Sequence, residues 1–414
     1  LWDELGEHEQ QALRDLAANG GLMRAVHFEH EHGAVRHFGP GRLMRERLWE
    51  KPTNTTERLF FLGLFFRGFE ESGKSAIWYV PPDVLPLLPL PPAAQQASAP
   101  EPTPLSGEVS VTQPSSDYLL RALYHALVAA RQGQRPLLVA LRQRLEREHD
   151  SPDEERLAYF ARLALALAQQ MGFLENERLS EAGLLRARRW LQSPRQEALS
   201  QVGHAWLQAT AWHELLRAPG IVFEGGRLPE AAPARQHVAH VLAGLRVGGW
   251  YKVSDLQAWL RTASPEFLRQ DADYDSLYLR DGISGAALDG VAAWMQVEGR
   301  FVEEVLVTLN SLTALSLGMH DGQRCFRLKP GAWWLREEPA LIGKTAPPLH
   351  ILANMTLECS PESTLYLRYQ VETITEPGNL SNQFRITRRS LREAERNGIS
   401  VERVIRFLRT HAVG

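Results

Sequence analysis

Three times along this chain a helical apolar period runs into two short β-type runs about a polar turn, and that recurring order restricts the fold more than any other feature. In the first copy Asn54 and Glu57 have the N-cap and N3 spacing of a capping box, opening a helix with Leu59, Leu62 and Phe66 on one face. A strand ending near Phe69, a turn containing Gly73, a strand from Ala76 to Val80 and a short helix after Pro81 and Pro82 follow. In the third copy Phe301, Val305, Leu309 and Leu312 carry the helical period. There Ala314 to Met319 and Cys325 to Leu328 flank the turn His320-Asp321-Gly322, and Pro330 opens a helix with Trp333 and Leu335. The middle copy is weaker: Leu157, Phe160, Ala164 and Ala168 on a helix, then Phe173-Leu174, a polar turn, Leu179 and a helix over Leu184 to Leu191. Helices followed by a hairpin have the pattern of a winged helix-turn-helix, in which the hairpin is the wing and the helix before it supplies the recognition surface. For the middle copy a helical bundle with an incidental hairpin fits as well.

Breaks between the copies divide the chain. Residues 91–116 read PPAAQQASAPEPTPLSGEVSVTQPSS, with six prolines, no aromatic residue and two charges, the composition of an extended linker. Shorter breaks lie at EGGRLPEAAP, from Glu224 to Pro233, and between Glu337 and Pro348. The expected fold is mainly α with small β-hairpins, of α+β class. It has a winged-helix-like domain at 1–90, a linker at 91–116, a helical or winged-helix-like domain at 117–222, a winged-helix-like domain at 234–338 and a small α/β domain at 347–414. Leu at position 1 and a helical pattern still running at the other end point to a piece of a longer polypeptide, with the last domain incomplete.

Composition narrows the function classes. With 46 Lys+Arg against 49 Asp+Glu the 414-residue chain has a net charge of −3, so any surface for nucleic acid is a local patch rather than a basic coat. Cys325 and Cys359 form no CxxC pair, which argues for a reducing compartment and against a zinc ribbon. Apolar runs such as Leu59 to Phe66 are too short to span a bilayer, and the N-terminus lacks a signal-peptide pattern. A soluble, cytoplasmic protein without a membrane partner is expected.

Several motifs look like chemistry. Gly68 to Ser75 satisfies G-x-x-x-x-G-K-[ST], but a phosphate loop needs a helix directly after Lys-Ser, and Ala-Ile-Trp-Tyr-Val-Pro-Pro is a β-type run closed by prolines. Lys74 is therefore placed in a wing turn, as a nucleic-acid contact. Asp153-Glu154-Glu155-Arg156 resembles the acidic box of a helicase motor, yet fits a helix start with Ser151 at N-cap and Pro152 at N1. His27, Glu29, His30, Glu31, His32 and His37 could supply metal ligands, but no partner constellation exists, and a solvated helix end is preferred. Asp271, Asp273, Asp275 and Asp281 lack the Glu and Gly positions of an EF-hand and read as a loop. No nucleophile elbow, zinc-protease motif or ATPase motor is evident, so no catalytic residue, metal or cofactor is assigned to this chain. Most of the eleven tryptophans read as core.

Basic residues cluster twice. Arg186, Arg188 and Arg189 precede Trp190 on a predicted helix. From Leu380 to the end, Arg385, Arg388, Arg389, Arg392, Arg396, Arg403, Arg406 and Arg409 face only Glu393, Glu395 and Glu402, a local balance of +5. In a chain of net charge −3 this is a candidate phosphate-facing surface. A solvated amphipathic helix pair is the competing reading.

The stretch Phe384-Arg-Ile-Thr387-Arg-Arg-Ser390-Leu391-Arg-Glu-Ala394-Glu-Arg-Asn-Gly398-Ile-Ser400, with Val401 to Leu408 after it, resembles the bacterial helicase-associated proteins that carry an XPB/Ssl2-like helicase N-terminal domain. Gly63-Leu64, Val80-Pro81-x-Asp83-x-Leu85 and Phe326-Arg-Leu-Lys-Pro-Gly331 are similar to that family too. Thr387 should cap a first helix, Gly398 end it and Ser400 cap a second. The resemblance implies a small C-terminal XPB-like domain, a role in binding DNA or distorted DNA during repair or transcription, and a helicase or similar protein as partner. The alternatives are a protein-interaction scaffold, since the first 92 residues hold 13 acids against 10 bases, and an accessory region of a longer ATP-dependent helicase.

Overall fold

The computed structural model describes residues 2–18, 21–69, 76–81, 83–88, 101–148, 153–218, 220–269, 276–336, 349–360, 363–380, 382–396 and 398–413. It is a mixed α/β structure whose small sheets are antiparallel apart from one pairing. Two compact units share the chain. The first comprises Leu1–Thr103, Gly220–Pro229 and Ser254–Arg300, the second Pro104–Pro219, Glu230–Val253 and Phe301–Gly414.

In the first unit helix Glu7–Ala18 leads through strand Leu22–Arg24 directly into helix Ala25–His32, and helices Pro40–Glu46 and Thr55–Phe61 precede the strands Phe66–Phe69 and Ala76–Tyr79. The third strand lies between the first and second, antiparallel to both. Helix Thr55–Phe61 starts where expected: the Asn54 side chain accepts from the Glu57 N–H at 2.9 Å. The reciprocal arm of the capping box is absent. Glu57 accepts instead from the Thr53 N–H and hydroxyl and from Arg36. Gly63, at φ +69°, follows the helix, so Leu62 and Phe66 do not share its buried face; they are exposed, and Leu59 alone of the expected three reaches the core. That core gathers Leu13, Leu16, Phe28, Leu59, Phe65 and Trp78, each worth about 1.5–3 kcal/mol on full burial. Because Ala76–Tyr79 is a strand in register with Phe66–Phe69, no helix N-terminus follows Ser75 to face a phosphate. Lys74 itself, like Gly73, lies outside the described residues.

A two-stranded ribbon, Ile221–Gly226 with Leu277–Asp281, also belongs to this unit. It takes up only the start of the expected Glu224–Pro233 break, whose end lies in helix Ala231–Gly244, and Gly225 and Gly226 at positive φ sit at its bulge. Asp281 accepts from Ile283 and Ser284, which makes the end of the acidic stretch a local turn; Asp271, Asp273 and Asp275 lie outside the described residues.

The second unit is built around helix Tyr118–Arg131, which is buried from Tyr118 to Ala130 except at Arg121. Helices Leu137–Leu145, Glu154–Gln170, Glu181–Gln192 and Arg195–Leu207 belong to the same unit. Asp153 is the N-cap of helix Glu154–Gln170, accepting from Arg156 N–H, where Ser151 was expected; Ser151 and Pro152 lie outside the described residues. Leu157, Phe160, Ala164 and Ala168 are buried as their spacing predicts, but the middle copy forms only a single β-bridge, Glu175 with Arg178. It is a helical bundle.

A four-stranded sheet runs Ser110–Gln113, Leu315–His320, Gln323–Leu328, Trp250–Lys252. Its last three strands repeat the order of the first sheet: a short strand that passes directly into helix Val253–Ala263 lies beside the final strand of the hairpin. Asp321 and Gly322, both at positive φ, make the hairpin's two-residue turn. The fourth strand corrects the expected linker: residues 110–113 are hydrogen-bonded to Leu317, Gly318 and Met319 and are part of a sheet rather than free chain.

The final sheet orders its strands Glu376–Pro377, Gln383–Arg385, Thr356–Glu358, Leu349–Leu352, Ala412–Val413, with helices Leu365–Glu372, Arg388–Arg396 and Val401–His411. Leu349, Leu357, Val371 and Phe384 form its core, and Ile374, Ala394 and Val404 a second small one. Trp78, Trp190, Trp206, Trp212, Trp294 and Trp334 are buried, as are both cysteines. Among the described residues no helix is long and apolar enough to cross a membrane.

Candidate nucleic-acid interface

A recognition helix must be exposed to enter a groove, and the helix before the third hairpin is not. Helix Trp294–Asn310 is buried at Phe301, Val302, Val305, Leu306, Leu309 and Asn310, so it is unavailable as the expected recognition surface. Its carboxylates are internally satisfied: Glu298 binds Arg269 through both oxygens at 2.5 and 2.6 Å, and Glu304 binds Arg156. In the first unit Arg58, the exposed base of helix Thr55–Phe61, is paired with Glu9 at 3.4 Å.

The C-terminal helix pair has the opposite character. Thr387 Oγ1 accepts from the Ser390 N–H at 3.0 Å, while the Ser390 hydroxyl accepts from the Thr387 N–H at 3.1 Å. This reciprocal cap starts helix Arg388–Arg396 as the sequence predicts. Gly398, at φ +78°, turns the chain, and Ser400 caps helix Val401–His411 by accepting from Arg403 N–H. Ala394 and Val404 bury the inner faces, which leaves the arginines outside. Arg388, Arg392 and Arg396 recur every four residues and are exposed, with no acidic partner among the described residues. Arg389 differs: it is 81% exposed but lies 3.8 Å from Glu376 and 3.9 Å from Glu393, so it is partly neutralised rather than one of an unpaired row. Arg385 is exposed on the strand Gln383–Arg385.

The arginines of helix Glu181–Gln192 do not act as one patch. Arg186 donates to the Gly172 carbonyl at 3.0 Å and, with Arg189, lines an open cleft of about 650 Å³ beside Trp190 and His204. Arg188 points to the other side, its guanidinium 5.7 Å from the ring centre of Tyr366.

Tyr366 is positioned by a buried charge network that sequence reasoning missed, since its members are spread over 250 residues. Glu372, on the same helix, accepts from Tyr124 at 2.9 Å, Arg144 at 3.0 Å and Arg368 at 3.2 Å. Arg368 also approaches Glu148, which accepts from Arg121 and from His125 at 2.6 Å. Burial pushes the Glu148 carboxyl up, but His125 and the two guanidinium groups hold it at about 2. Helix Leu365–Glu372 is thereby locked to helix Tyr118–Arg131, and the only sequence signal was charged residues inside otherwise apolar helical periods.

The histidines do not converge. His27 Nε2 is 2.9 Å from Glu266, and His32 is 3.1 Å from Asp15; Asp15, Glu31 and His32 are close enough to hold a cation, while His30 and His37 are exposed. In comparisons with known proteins, no family model and no curated protein matches the chain.

Proposed function

We propose that this protein is a DNA-binding and interaction module whose phosphate-contacting surface is the C-terminal helix pair. The observation that carries this reading is the row Arg388, Arg392 and Arg396, exposed, evenly spaced and without acidic partners among the described residues. Guanidinium groups so placed suit bidentate phosphate contacts. In both copies a short strand that runs straight into a helix pairs with the last strand of a later hairpin, and this pairing supports the winged-helix reading. In this reading those copies serve as packed framework, because the third copy's helix before the hairpin is buried. The Thr387 to Leu408 motif supports an XPB-like, helicase-associated end domain, a companion to a DNA helicase in repair or transcription.

A salt titration of duplex DNA binding tests the reading. Log K should fall linearly with log salt, with a slope of about −0.9 for each phosphate neutralised. Absent binding would favour the interaction scaffold instead. That second reading has its own support in the ribbon of the first unit, where Val222, Phe223 and Tyr278 are exposed apolar residues, and in Ile283 of the turn that follows it.

A further inference from the structure

A groove of about 220 Å³ opens in the second unit where Arg188, Tyr366 and the second C-terminal helix meet. Three guanidinium groups border it from three separate helices: Arg131 at the end of Tyr118–Arg131, Arg188 from Glu181–Gln192, and Arg403 from the first turn of Val401–His411. All three are exposed, none has an acidic partner among the described residues, and no carboxylate lines the groove. Tyr366, Tyr369, Phe407 and Ile399 line it with them, together with the neutral polar Gln370 and Thr373. Burial pushes the Tyr369 hydroxyl up to about 12 against the nearby charge of Arg131, so the phenol stays neutral.

Uncompensated positive charge beside aromatic rings asks for a ligand with an anionic group joined to a planar apolar one. The groove is below the range of about 300–1,000 Å³ usual for enclosed small-molecule sites, which limits it to one ring system with the charge left at the rim. Stacked bases in a duplex present no free face, whereas single strands do. We propose that this groove takes one unstacked nucleotide of a single-stranded nucleic acid, its base against Tyr366 and Phe407 and its phosphate among Arg131, Arg188 and Arg403. This rests on the DNA-binding reading and adds to it a preference for strands that are open or end nearby.

The test uses the full chain, fluorescence anisotropy and two probes: a labelled single-stranded DNA and the duplex of the same sequence. Arg188→Gln with Arg403→Gln should weaken single-strand binding about 10-fold and leave duplex binding within about 2-fold. Arg388→Gln with Arg392→Gln and Arg396→Gln should chiefly weaken the duplex. With the unaltered protein, a single strand carrying photoreactive halogenated uracil should crosslink to a peptide containing Tyr366, Tyr369 or Phe407. Equal loss on both probes, no loss on either, or adducts only elsewhere would overturn the groove assignment while the duplex result stands. Failure of both probes to bind would overturn the DNA-binding reading together with it.

Discussion

The Ser390 hydroxyl donates to the Ile374 carbonyl across 2.9 Å, tying the first C-terminal helix to the end of the segment that follows helix Leu365–Glu372. The same hydroxyl accepts from Thr387 N–H, so one buried oxygen both starts the arginine-bearing helix and anchors it. Ser390→Ala should cost about 1–3 kcal/mol, since it leaves a buried carbonyl and a capped N–H without partners. Urea unfolding that shows an unchanged midpoint would contradict this.

Replacing Arg388, Arg392 and Arg396 together by Gln should weaken duplex binding across sequences and flatten the salt slope by roughly two to three units. Their exposure predicts stability within about 0.5 kcal/mol of the parent. Adding Arg389→Gln should change little more, because Glu376 and Glu393 already offset that charge. An undiminished slope in the triple variant would leave the row as a solvated face.

Glu57 sets an acid limit on the first unit. Burial pushes its carboxyl up, but Arg36 and Thr53 hold it down at about 2, from an ordinary 4.5. A carboxylate depressed by folding contributes stability that is present above the unfolded value and lost as pH falls through the folded one. Stability of this unit should therefore decline between pH 4.5 and 2, and Glu57→Gln should flatten that decline while lowering stability at neutral pH. Parallel pH profiles for parent and variant would refute it.

The buried pair of Arg269 and Glu298 makes an asymmetric prediction. Arg269→Met should cost about 3–5 kcal/mol by stranding the Glu298 carboxylate, whereas Arg269→Met with Glu298→Leu should recover most of the loss. Thermal unfolding of the two variants separates these outcomes.

What was legible in the sequence was local. Asn54, Thr387 and Ser400 cap helices, Gly398 follows one, and Asp321-Gly322 turns a hairpin, because each acts on groups within four residues of itself, whereas the stop at Gly63 was missed and the first helix read on to Phe66. Strands Leu22–Arg24 and Trp250–Lys252 were missed, being three residues long and held by partners far away. The exposed arginines could be picked out as a charge imbalance, but not their sorting. That Arg389 is paired, Arg186 turned toward Gly172 and Arg188 set over Tyr366 depends on helix rotation and tertiary packing, to which composition is blind.

Strand Ser110–Gln113 lies beside a strand that begins about 200 residues later. At the usual pace of synthesis, about 5–20 residues per second, roughly 10–40 s pass between the two leaving the ribosome. During that interval the earlier strand carries backbone donors and acceptors that have no partner strand. Nascent chains halted before residue 315 should thus offer this segment to chaperones, and the four-stranded sheet is assembled only after residues 315–328 have been made.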